Sequence, residues 1–120
     1  MVVYGWCFEF GYNVFTMKII YNNIIPFKGF KAINICTCLF VRKGCYMSEK
    51  DFNHERIHSV QMKELLYIGF YLWYLIEWLI RLFKNGNAYK NLCFEKEAYD
   101  NDDNLTYLDK RKPYAWLDYL

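Results

Sequence analysis

His54-Glu55-Arg56-Ile57-His58 is the stretch of this chain whose residue types and spacing carry chemistry. On a helix, side chains four apart project from one face a turn apart, so both imidazoles can reach a single Zn²⁺ ion. Glu55 then points beside the metal, where it can take a proton from a water whose pKa zinc lowers toward ~7. His54 and His58 are the only two histidines in the sequence, so neither is spent elsewhere.

A catalytic zinc site needs a third protein ligand and an open fourth position. With no further His, that ligand must be a carboxylate or a Cys. The candidate segment is Phe94-Glu95-Lys96-Glu97-Ala98-Tyr99-Asp100, at the start of a second expected helix. A different set, Cys36 and Cys38 with His54 and His58, has the count of a finger-like structural site. C-x-C is tighter than such sites usually want, and this set would leave Glu55 and Glu95 without a role.

These residues resemble the gluzincin class of zinc metallopeptidases, in which H-E-x-x-H on one helix is completed by a Glu on a later one. In membrane-associated members that Glu often stands in an E-x-x-A-D pattern. Glu95-Lys96-Glu97-Ala98-Tyr99 follows it up to the Ala and departs at the last position, with Asp100 one residue further on. The match is limited to His54, Glu55, His58 and Glu95. It implies a zinc-dependent peptidase acting on a peptide or protein, with Glu55 as general base and Glu95 as third ligand. Glu97 is the alternative ligand. A side chain is also needed to polarise the scissile carbonyl; Tyr99 is a candidate for that role, with Tyr89 and Arg81 also available. The chain is small for a protease, which favours as an alternative a non-catalytic accessory protein, zinc-stabilised or membrane-associated, that keeps a zincin-like fold.

The elements that must position these groups are legible in outline. Residues 17–25 read as an extended segment, Pro26, Lys28 and Gly29 as a turn, and residues 32–41 as a second apolar strand, giving a hairpin or small sheet. Ser48 with an acidic residue three positions on has the form of a helix start. From there to Phe83 only Gly69 weakens a helix, so one long helix or two joined near Gly69 are expected. Lys84-Asn85-Gly86-Asn87 is a stop signal with Gly placed for a left-handed cap. A second helix over residues 94–108 and an aromatic docking segment over 114–120 complete an α+β, minimal zincin-like domain. Met17 is a plausible alternative start, which makes residues 1–16 an uncertain N-terminal extension ahead of a single domain over 17–120.

Placed on one continuous wheel, His54, His58, Leu65, Ile68, Leu72, Ile76, Leu79 and Phe83 share a side expected to face the core. The opposite side, with Tyr67, Tyr71, Tyr74 and Trp78, then suits a membrane surface or a partner helix. Residues 65–83 would reach ~28 Å as a helix, near the hydrocarbon thickness, although Glu77 and Arg81 are costly at depth. The aromatic share of 22% is high for 120 residues, and the net charge of +2 gives no footprint for nucleic acid. Five Cys cannot all pair within one chain and read as buried small hydrophobes. The first fifteen residues lack a basic n-region and contain Glu9, a poor secretory signal, so the expected location is cytoplasmic or membrane-associated.

Overall fold

The computed structural model describes residues 2–6 (as backbone strand), 17–24 and 30–120. A small mixed sheet is followed by helices. Strands β1 (Val2–Trp6), β2 (Lys18–Asn22), β3 (Ala32–Ile35) and β4 (Cys38–Arg42) lie in the order β1-β2-β4-β3. The segment expected to be one strand over 32–41 is instead a tight hairpin. It breaks at Cys36 and Thr37, whose φ values of 48° and 65° are the paired left-handed conformation that two-residue hairpin turns require. β4 folds back between β3 and β2 and runs parallel to β2, from Lys18 opposite Cys38 to Asn22 opposite Arg42. β1 pairs antiparallel with β2, so residues 2–6 of the expected extension add a strand to the sheet. Residues 7–16, with Cys7, and the expected turn at Pro26, Lys28 and Gly29 lie outside the described residues.

Helix α1 (Glu49–Glu64) starts on a full capping box: the Asp51 amide donates to Ser48 Oγ and the Ser48 amide to Asp51 Oδ2. One face of the sheet packs on it through Met17, Ile19, Leu39 and Val41, with Phe52 of α1 against them. Asn34 of β3 pins the contact, donating to the Glu55 carbonyl at 2.9 Å and to Ser59 Oγ at 2.8 Å. This places the outer strand directly beside the H-E-x-x-H turn.

The helix does not run on to Phe83, and Gly69 is not its joint. α1 ends in a Schellman motif: the Leu66 amide donates to the Lys63 carbonyl and the Tyr67 amide to the Met62 carbonyl. Leu66 and Tyr67 take φ values of 52° and 62°, and α2 (Ile68–Leu82) leaves at 108° to α1, with Gly69 inside its first turn. The bend ends the continuous wheel at Leu65 and reverses the expected faces. Phe70 and Tyr74 turn inward, whereas Ile68, Leu72, Ile76, Leu79 and Phe83 are exposed. Tyr67 packs against the core and Trp78 is half-buried, so the tyrosine side is not the outer face. No single helix among the described residues is long and apolar enough to cross a membrane.

Gly86, at φ 102°, serves the turn after α2 rather than its cap. α3 (Cys93–Asn101) is shorter than the expected 94–108. Its end is set by Asn53 of α1, whose side-chain amide donates to the carbonyls of Asn101, Asp102 and Asn104 and so satisfies the turn beyond the helix. After α4 (Tyr107–Lys110), the expected aromatic tail forms a 3₁₀ helix, Ala115–Tyr119, that buries Trp116 against Phe94 and Trp73. With Met62, Phe70 and Cys93 these rings make a second core joining α1, α2 and α3. Cys93 is buried; Cys38 and Cys45 are half-buried and Cys36 exposed, so the buried-hydrophobe expectation fits Cys93 alone of these four.

Candidate metal centre

Between the two cores, α1 and α3 bring three ligand atoms together. His54 Nε2 and His58 Nε2 are 3.1 Å apart, and each is 3.3 Å from Glu95 Oε2. The side chains of His54, His58 and Glu95 are only 12%, 8% and 3% exposed. Two imidazole nitrogens and a carboxylate oxygen, facing one point out of bulk water, form a group that can hold a metal ion.

The far side of each ring is tied down. His54 Nδ1 lies 3.2 Å from Asp102 Oδ2 and His58 Nδ1 lies 2.8 Å from Gln61 Oε1. Gln61 has no freedom to reverse: its Nε2 donates to the Phe94 carbonyl at 3.0 Å and to Glu97 Oε2 at 2.8 Å. Its oxygen therefore accepts from His58 Nδ1–H, which leaves the Nε2 lone pair for an ion. Glu95 Oε1 accepts from the Tyr74 hydroxyl at 3.4 Å, leaving Oε2 toward the histidines. Burial disfavours charge at both Glu95 and His58, but their mutual attraction outweighs it. The Glu95 carboxyl is held well below its usual range and the His58 ring is pushed up to about 9.

Glu97, the alternative ligand, is elsewhere. It is wholly buried on the other side of α3, bonded to Gln61, Tyr107 and Arg111. Cys36 and Cys38 do not join the histidines; Cys36 sits in the β3–β4 turn with its amide on the Tyr71 hydroxyl. Arg81 is engaged with Glu77, away from the cluster. Tyr99 lies at the site, its ring edge-on to His54 with centroids 4.6 Å apart. Asp100 is exposed, and the acid on the first histidine is Asp102, seven residues after Glu95, beyond the end of α3.

Glu55 lines two openings beside the cluster. One is an apolar cleft of about 620 Å³ walled by β3, Phe70, Tyr71, Tyr74 and Tyr89. The other, about 500 Å³, carries Lys31, Lys50, Tyr99 and Asp102. Burial pushes the Glu55 carboxyl up from its ordinary value, with the two histidines pulling the other way. Sequence reasoning missed Gln61, Asp102 and Tyr74. Gln61 had a signal, since i+3 from His58 is the same helix face. Tyr74 had none, because its side of the chain is decided by the bend at Leu66.

Comparison with protein-family models, with curated proteins and with solved structures gives no match to this chain.

Proposed function

We propose that the chain is a minimal gluzincin-like zinc hydrolase that cleaves peptide bonds. The observation that carries this reading is the convergence of His54 Nε2, His58 Nε2 and Glu95 Oε2 within 3.3 Å of one another, beside a cleft lined by Glu55. The donor set fits zinc: two imidazoles with Nδ1 tied back and one carboxylate, with no fourth ligand among the described residues. When bound, zinc supplies Lewis acidity, lowering the pKa of water toward ~7 and polarising a carbonyl oxygen.

The remaining steps belong to the chain. Glu55 accepts a proton from the attacking water and returns it to the leaving amine, a role suited to a carboxyl whose affinity for protons burial has raised. The hydroxyls of Tyr99 and Tyr89, both at the rim of the cluster, are the donors available to the carbonyl oxygen. β3 is an outer strand of the sheet and forms one wall of the apolar cleft, so an extended peptide can lie along it and place a hydrophobic side chain inside.

The test is metal content and peptide cleavage of the purified chain. Stoichiometric zinc and chelator-sensitive cleavage are expected, with Glu55→Gln keeping the metal and losing turnover by at least a hundredfold, on the order of general-base catalysis. Zinc retained in Glu95→Ala at the parent's affinity, or cleavage unaffected by Glu55→Gln, overturns the reading.

A further inference from the structure

We propose that α2 is a membrane-surface helix, lying in the headgroup region of an anionic bilayer with its outer face in the acyl boundary. The helix is built inside out. Glu77 is buried on the inner side, where its carboxylate accepts from Arg81 and from the Cys93 amide. At 100° per residue the opposite side carries Ile68, Leu72, Leu75, Ile76, Leu79, Leu82 and then Phe83, with no polar residue among them. All seven are exposed, Ile68 at 74% and Phe83 at 91%. A strip this continuous and this apolar is not left to water in a folded domain.

Three observations select a bilayer as what covers it. First, the aliphatic strip is bordered by Tyr71 and Trp78 on one side and Trp73 on the other, where rings that prefer the boundary between hydrocarbon and water belong. Second, the exposed charges of this segment have one sign. Between Leu65 and Leu92 the only acid is the inward-facing Glu77, while Lys84 and Lys90 stand exposed just past the helix end. Third, the dimensions fit. Fifteen residues make a helix of about 22 Å, too short to span and long enough to lie flat in the headgroup region. The inner face of the same helix, through Phe70 and Tyr74, walls the apolar cleft, so the membrane surface would hold the site close to surface-bound chains. The inference does not rest on the hydrolase reading and stands if the chain binds no metal.

The full chain is mixed with phosphatidylcholine vesicles, with and without phosphatidylserine, and partition is read by flotation and by the tryptophan emission shift. Binding is expected, stronger with phosphatidylserine and weakened by salt. Leu75→Ser with Leu79→Ser lowers partition by about a hundredfold on both vesicle types, each leucine being already exposed and therefore dispensable to the fold. Lys84→Gln with Lys90→Gln lowers it by roughly tenfold, and only on the phosphatidylserine vesicles. Absence of partition, or partition that the leucine pair leaves unchanged, overturns the proposal. So does a vesicle-free dimer that the leucine pair dissociates, which assigns the face to a second copy. Resistance to alkaline extraction equally overturns it, as that is the behaviour of a spanning segment.

Discussion

His58 Nδ1 and Gln61 Oε1, one helical turn apart on α1, lie 2.8 Å from each other. That contact decides which nitrogen of the ring faces Glu95. Because the Gln61 amide nitrogen is already committed to Phe94 and Glu97, the imidazole has only an acceptor on this side and carries its proton there. Nε2 of the histidine is thus left facing Glu95 by a residue outside the cluster.

Gln61→Met keeps the length of the side chain and removes both of its polar ends. The expected result is a 10–100-fold loss of metal affinity, by competition with a chromophoric chelator, the usual range for deleting a ligand's supporting partner. The zinc-to-protein ratio at saturation should stay the same. Unchanged affinity would mean that the ring is oriented by packing against Phe70 and needs no hydrogen bond.

How much of this was legible follows from where each determinant lives. His54, Glu55 and His58 are visible because their relationship is local: a four-residue spacing on a helix whose capping box, Ser48 and Asp51, is itself local. The arrival of Glu95 beside them depends on α3 returning to α1; the residues pointed to the segment 94–100, and the resemblance singled out Glu95 within it. Asp102 was hidden because the turn presenting it is held by Asn53, 49 residues earlier in the chain. The faces of α2 were misjudged for a different reason. Periodicity extends a helix wheel through any residue that tolerates a helix, and Leu66 does, yet here it takes the left-handed position that glycine usually marks. The same limit hid the β3–β4 turn at Cys36 and Thr37, neither of which is a turn-forming type.

Arg111 tests the wider frame. Its guanidinium, 3% exposed, bridges Glu64 at 2.6 Å and the wholly buried Glu97 at 3.1 Å. Replacing it by Met leaves two carboxylates facing each other in the interior, a loss expected to cost about 3–5 kcal/mol. For a domain of this size that is a fall in Tm of roughly 10–20 °C. Since Glu97 also accepts from Gln61, metal affinity should weaken in the same variant. A stability change below about 1 kcal/mol in urea unfolding would show that water reaches these carboxylates and that the cluster is not a structural tie.

At the start of α1, the Lys31 ammonium and then the Ser48 amide hold the Asp51 carboxyl down at about 2, below the ordinary 3.8 of an aspartate. A carboxyl depressed in the folded state stabilises above its unfolded pKa, and that contribution fades as pH falls through the folded value. Asp51→Asn should therefore lower stability by on the order of 1 kcal/mol at pH 7, the scale of a helix cap. The gap between parent and variant should hold down to a pH of about 4 and close toward a pH of about 2. Urea midpoints at stepped pH read it directly. A gap that does not change with pH would assign the effect to shape rather than charge.

Leu66 occupies the left-handed position of the α1–α2 Schellman motif at φ 52°, with 81% of its surface exposed. A Cβ in that conformation costs roughly 1–2 kcal/mol, and here the side chain recovers little of it by burial. Leu66→Gly removes the Cβ but makes the unfolded chain freer by about 0.4–1 kcal/mol, so a net gain of about 0.5 kcal/mol is expected. Leu66→Ala keeps the Cβ and should bring no such gain, which separates backbone strain from loss of an exposed apolar side chain. Tyr67→Gly, at φ 62°, is not equivalent, because Tyr67 packs against the second core and its loss should destabilise. The angle between α1 and α2 is set by this motif, so Leu66→Gly should leave metal affinity unchanged while raising the urea midpoint. A lower midpoint in Leu66→Gly would mean that the joint does not hold the left-handed conformation, and with it would go the bend that turns Tyr74 toward Glu95.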